Sequence, residues 1–248
     1  MFLHSLTEFK MVIVEFFSHK DNLEYGSDAR AAAYLVGHVG FFVFNFVNFF
    51  YLLLVEGYIF GRLATNCLAK LAVIGCIFQL FSCFTSIYRY NINDEFSFAG
   101  EMGVLLAAVG FTVHNYLVSH FAFPFRPKYR TATLYGWIAI SVVTCVKTHL
   151  DWDVSDFKYF RGHVVASVSF QFVCYYLARR SIKTGSVTSI ENGSKLFEVA
   201  MLMCIVDMAM MMSKRPAFQY PGVGIGYTAV VLTAILGAGF VTASGPST

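Results

Sequence analysis

The chain has 248 residues, 57% of them hydrophobic and only 13% charged, with a formal net charge of +3 and a mean hydropathy of +0.61. A soluble domain carries about 25% charged residues, so the polar surface here is too small to cover a water-soluble globule, and the surplus apolar surface has to face lipid. No basic tract accompanies the small net charge, which leaves nucleic-acid binding without support.

Residues 1–20 place Phe2, Leu6, Phe9, Ile13, Phe16 and Phe17 at helical spacing, with Glu8, Lys10 and Glu15 between them. Those charges interrupt the apolar core that a signal peptide needs. The pattern instead predicts an amphipathic helix lying in the membrane interface or against the edge of a bundle.

Crossing a hydrocarbon core of about 30 Å takes about 20 apolar residues in a helix. Runs near 31–55, 68–88, 99–123, 133–148, 163–178, 196–212 and 222–243 predict seven spans. Three of them, 133–148, 163–178 and 196–212, are short and need flanking residues to complete a crossing. Strands would leave backbone groups unpaired in lipid, and no alternating ten-residue pattern marks a barrel. The expected fold is therefore all-α. It comprises a polytopic transmembrane helix bundle over 31–243, an amphipathic helix at 1–20 and a short polar tail at 244–248.

Loop charges suggest an orientation. Arg62, Arg126, Lys128, Arg130, Arg179, Arg180, Lys183 and Lys195 fall on one side, and a smaller basic set falls on the other. The positive-inside rule places the richer side, with the C-terminus, in the cytosol or matrix. Asn192-Gly193-Ser194 is a glycosylation sequon that this orientation keeps from the modifying enzymes, so a glycan on Asn192 would reverse the topology. All six cysteines (Cys67, Cys76, Cys83, Cys145, Cys174 and Cys204) fall within hydrophobic runs, which fits packing residues rather than a disulfide framework.

Ionisable residues at membrane depth are costly and point to function. Asp207, Glu101, His114, His38 and His163 form the candidate intramembrane polar site. Asp207 lies deep in 196–212, where a carboxyl serves either a proton- or cation-coupled step or a structural hydrogen bond between helices. His38, Glu101 and His163 fall near the entry ends of odd-numbered spans, on one side of the membrane. Other polar residues recur at helical spacing: Glu101, Thr112, Asn115 and Ser119; His38 and Asn45; Gln79, Ser82 and Ser86; His163, Ser167 and Cys174. Such stripes turn inward, where they either line a solvated cavity or form the hydrogen-bonding seams of a packed bundle. Gly222, Gly224 and Gly226 lack the strand and helix context of a phosphate loop and predict close packing at a helix start. No cofactor is specified, and no compact HExxH-type or Cys/His motif assigns a metal or a catalytic residue.

Two places resemble the damage-regulated autophagy modulator family, multi-spanning proteins of lysosomal and other endomembranes. Tyr25-Gly26-Ser27-Asp28 precedes a span as a Tyr-x-Ser-Asp segment does in that family. Leu150-Asp151-Trp152-Asp153, followed by Gly162-His163-Val164-Val165, resembles the approach to the family's last span. The likeness covers about residues 24–180 and leaves the spans at 196–212 and 222–243 without a counterpart. It implies an endomembrane protein and carries over no catalytic residue.

The expected role is non-catalytic. A structural or regulatory membrane protein, or an accessory subunit of a larger complex, fits the absence of a reactive motif and the 17% aromatic content, because Phe-rich helices offer broad contact surfaces. Its expected partners are the lipid bilayer and other membrane subunits, in an endomembrane or the mitochondrial inner membrane. Two alternatives stand beside it: a small-solute or proton/cation-coupled transporter using Asp207 and Glu101, and a lipid-modifying enzyme using His38, Glu101 and His163.

Overall fold

The computed structural model describes residues 27–92, 98–150, 158–184, 193–213 and 216–237. The segment 1–20, the loop residues Asp94, Glu95, Asp151, Asp153, Asp156, Lys214, Arg215 and Asn192, and the tail 244–248 lie outside the described residues.

Seven α-helices account for nearly all of that chain: α1 Ser27–Phe50, α2 Cys67–Ile92, α3 Phe98–Ala122, α4 Pro127–Leu150, α5 Lys158–Lys183, α6 Gly193–Met212 and α7 Pro216–Leu236. A π-helical stretch, Tyr51–Ile59, prolongs α1 by 9 residues, and a 3-10 turn at Arg62–Ala64 comes next. Gly61 sits between them at φ 62°, a left-handed conformation that glycine adopts without a side-chain clash. Asn66 starts α2: its Oδ1 accepts from the amides of Leu68 at 3.0 Å and Ala69 at 3.1 Å, a helix-capping arrangement. The same side chain donates from Nδ2 to the Ala234 carbonyl at 3.1 Å, which ties the start of α2 to the end of α7. Pro127 and Pro216 occupy first helical positions, where a missing N–H costs nothing.

Side-chain pairings fix the directions of the helices. Gln79 and Ser82 of α2 meet Ala107 and Gly103 of α3, so these helices run antiparallel. Thr112 meets Ser141 while Glu101 meets His149, so α3 and α4 are antiparallel as well. Phe111 faces Phe160 whereas Asn115 faces Ser167, which makes α3 and α5 parallel. Along α1 and α7, Gly40 meets Pro221, Phe44 meets Gly224 and Asn48 meets Thr228, again parallel. The result is an up-and-down bundle in which α3 touches α2, α4, α5 and α7.

Val36–Ile59, Cys67–Thr85 and Glu101–Ala122 are long and apolar enough to cross a membrane, and Pro221–Leu236 is a shorter apolar helix. Large apolar side chains remain exposed on the outside, among them Val39, Val43 and Val47 of α1, Val142, Val143 and Val146 of α4, and Leu202, Ile205 and Val206 of α6. Helical runs reach 24, 26 and 20 residues in α4, α5 and α6, so each of the three short segments lies within a longer helix.

Two boundaries differ from expectation. The last helix begins at Pro216 rather than 222 and is described as far as Leu236, after which the Gly237 amide donates to the Thr233 carbonyl at 2.8 Å; residues 238–243 lie outside the described residues. Hydropathy alone had excluded the more polar first turn. The first span likewise does not stop at 55: the π-helical stretch carries Glu56 onward, with Leu52 and Glu56 facing inward.

Candidate functional site

The bundle's interior holds many polar side chains, and most of them are committed to bonds between helices. On α3, Thr112 Oγ1 lies 2.9 Å from Ser141 Oγ of α4. One turn on, Asn115 donates from Nδ2 to Ser167 Oγ at 2.8 Å and accepts at Oδ1 from Ser167 Oγ at 3.0 Å and from Gln171 Nε2 at 2.9 Å. Between α2 and α3, Gln79 donates to the Ala107 carbonyl at 2.9 Å and Ser82 to the Gly103 carbonyl at 2.8 Å. Tyr175 of α5 and Thr233 of α7 bring their hydroxyls to 3.2 Å. Thr112, Asn115, Gln79, Ser82 and Ser167 of the predicted stripes thus join helices, whereas Ser119 and Asn45 bond to Tyr116 and Phe41 carbonyls of their own helices.

Glycines make these crossings possible. A β-carbon built on Gly75 of α2 would fall on the imidazole of His114, one on Gly110 of α3 would fall on the Gln79 amide, and one on Gly226 of α7 would fall on the Asp207 carboxylate. Each of three buried polar side chains thus lies in a notch left by a glycine on the facing helix. Gly222 and Gly226 are four residues apart and share one face of α7. With a β-carbon at Gly222 only 2.7 Å from Met210 Cβ, that face lets α6 and α7 approach at the distance small-xxx-small pairs permit. Gly224 points elsewhere, against Phe44 of α1. The glycine run is a packing device, as its sequence context predicted.

The predicted site residues separate into distinct surroundings. Asp207 is 1% exposed, and neither carboxylate oxygen has a hydrogen-bond partner among the described residues. His114 is fully buried, with both ring nitrogens outside hydrogen-bond geometry, and its ring meets the edge of Tyr227 at a centroid distance of 4.6 Å. The Tyr227 hydroxyl is buried and likewise unpartnered, within electrostatic reach of Asp207. Asp207, Tyr227 and His114 thus bring three unpaired polar groups together from α6, α7 and α3. His163 sits elsewhere, with Nδ1 3.1 Å from Thr144 Oγ1 and its ring among Phe111, Trp137 and Phe160. Glu101 pairs with His149 Nδ1 at 2.7 Å at the end of α4, and His38 is buried near the start of α1. Among the described residues, no three of His, Cys, Asp or Glu gather closely enough to hold a metal ion.

Several buried polar residues escaped the sequence reading, Glu56 and Thr148 among them. Glu56 is 2% exposed and accepts from the Tyr51 hydroxyl at 3.4 Å. It lies just beyond the apolar run as counted, so only a window that tolerated one acid would have included it. Thr148, also buried, lines a groove between α3 and α4, and its hydroxyl has no hydrogen-bond partner among the described residues. A lone threonine in an apolar run gives no signal of this.

The chain matches no protein-family profile, no curated protein and no solved structure.

Proposed function

We propose that the chain is a seven-span integral membrane protein with a non-catalytic role, structural or regulatory, as an accessory subunit of a larger membrane complex. The observation that carries this is the glycine-notch packing of His114, Gln79 and Asp207. Polar side chains seated on glycines hold helices at close contact, which suits a rigid scaffold. The outside favours partners as well as lipid. Phe42, Phe46 and Phe50 form a ring ladder along α1, with centroids 5.6 Å and 4.4 Å apart, and Phe46 and Phe50 are exposed. Rigid aromatic faces of this kind suit helix–helix docking. The partial resemblance to the damage-regulated autophagy modulator family supports an endomembrane location.

Solubilisation from native membranes in a mild detergent tests the subunit role. The chain is expected to migrate in a particle holding other membrane proteins, and a monodisperse monomer overturns the role. The span count has its own test. A nitroxide at Val143, an exposed position about two thirds of the way along α4, is expected to relax faster with oxygen than with a water-soluble paramagnet. The reverse ranking removes α4 from the bilayer.

The unpaired Asp207, Tyr227 and His114 favour a second reading, a proton- or cation-coupled carrier. Reconstituted in liposomes under a pH gradient, such a carrier loses its flux on Asp207→Asn. Unchanged flux takes Asp207 out of any transport mechanism.

A further inference from the structure

At the end of the bundle where α3 begins and α4 finishes, the two helices leave a groove of about 350 Å³. Its walls are mostly apolar, with Leu105, Val146 and Leu150 exposed along it. Three polar groups interrupt them: Glu101, His149 and Thr148. Glu101 is about a quarter exposed and pairs through one oxygen with His149 Nδ1. Thr148 is 2% exposed, yet its hydroxyl has no hydrogen-bond partner among the described residues. Thr148 lines the groove, and a side-chain rotation that brings its unpaired hydroxyl to a ligand acceptor is favourable.

The arrangement is amphipathic and directional. An alkyl chain lying along Leu105 and Val146 is covered on one side and faces the other chains of a bilayer on its open side. A polar group at the level of Glu101 and Thr148 meets a carboxylate that His149 engages through one oxygen, and one neutral hydroxyl. A headgroup whose only charge is negative meets the Glu101 carboxylate unfavourably. A primary ammonium brings three donors to it, while a neighbouring ester or phosphate oxygen accepts from Thr148. The volume is at the small end of ligand pockets, enough for one chain and a headgroup neck rather than a whole lipid.

We propose that the groove between Glu101 of α3 and Thr148 of α4 binds a phospholipid bearing a primary-amine headgroup, with one acyl chain along Leu105 and Val146. This rests on α4 lying in the bilayer beside α3, as the seven-span reading has it.

The full chain, delipidated in detergent, is titrated with dioleoyl phosphatidylethanolamine, phosphatidylcholine or phosphatidylglycerol, and bound lipid is counted by native mass spectrometry. One ethanolamine lipid is expected to bind about tenfold more tightly than the choline lipid, which has no N–H donor, and than the glycerol lipid, which has no cation. Glu101→Gln is expected to erase that preference, and Thr148→Val to weaken all three lipids alike. Glu101 is partly exposed at a helix start, so its variant keeps the fold even where Thr148→Val does not. Equal retention of the three lipids, a preference for the glycerol lipid, or an unchanged preference in Glu101→Gln overturns the site. The nitroxide at Val143 separates the failures: oxygen contact there without lipid preference sinks the site alone, whereas loss of oxygen contact sinks the span beneath it.

Discussion

Gly75→Ala is expected to destabilise the protein by about 1–3 kcal/mol, although the same change on an open helix face stabilises. The reason is local. The added methyl occupies the space of the His114 ring, which is fully buried and held on another side by Tyr227. The ring cannot swing to solvent, so it must leave its rotamer or push α2 and α3 apart. Gly136 supplies the control. It lies inside α4 with nothing within 4 Å of an added β-carbon, so Gly136→Ala gains up to about 1 kcal/mol of helix propensity. At about 2–4 °C per kcal/mol for a chain of this size, thermal unfolding in detergent resolves the two signs. A double-mutant cycle then tests the notch itself. In a His114→Ala background the Gly75 methyl enters the space the ring vacated, and Gly75→Ala turns neutral or stabilising. Additive effects of the two substitutions would show that the pair does not meet as described.

How much of this was legible beforehand depends on whether the signal lies within one helix or between two. Hydropathy reports lipid exposure along a single segment, and it located all seven helices, with the starts of α4, α5 and α7 late by five or six residues. It misjudged the start of α7 because Phe218-Gln219-Tyr220 is less apolar than the rest of that helix, although Pro216 marks its first turn. Helical spacing grouped Thr112, Asn115 and Ser119 on one face of α3, and each does turn inward. Their partners were not legible. Nothing in Asn115 names Ser167 and Gln171 on a helix fifty residues away. The glycine notches are hidden for the same reason: Gly75 reads as an ordinary small residue until the helix carrying His114 is laid against it. The expected grouping of His38, Glu101 and His163 failed on azimuth rather than depth. All three lie toward one end, but Glu101 turns to His149 of α4 while His163 turns into the rings between α3, α4 and α5. Counting spans gives height along a bundle and leaves rotation about each axis open, and sites are decided by rotation.

Asn115→Ala is expected to cost about 2–4 kcal/mol, because Ser167 Oγ and Gln171 Nε2 both lose their bond to the Asn115 oxygen and stay buried with only the long 3.4 Å bond between them. That sum exceeds what one interhelical bond in lipid contributes, which averages about 0.6 kcal/mol and reaches about 1.7. The excess is the penalty of the stranded partners, and it can be removed without restoring any bond. Combining Asn115→Leu, Ser167→Ala and Gln171→Leu replaces the whole network with apolar surface and is expected to recover most of the lost stability. Unfolding midpoints of the single and triple variants decide the matter. A triple variant as unstable as Asn115→Ala would mean that the seam adds stability outright. A stable one would mean that the polar residues fix how α5 lies along α3. Leucines slide past one another at little cost, whereas a reciprocal Asn–Ser pair with a third donor has a single register. That distinction reaches function, since a subunit that presents a fixed aromatic face along α1 depends on helices that keep their register. Loss of partner binding in a stable triple variant would tie the seam to that role.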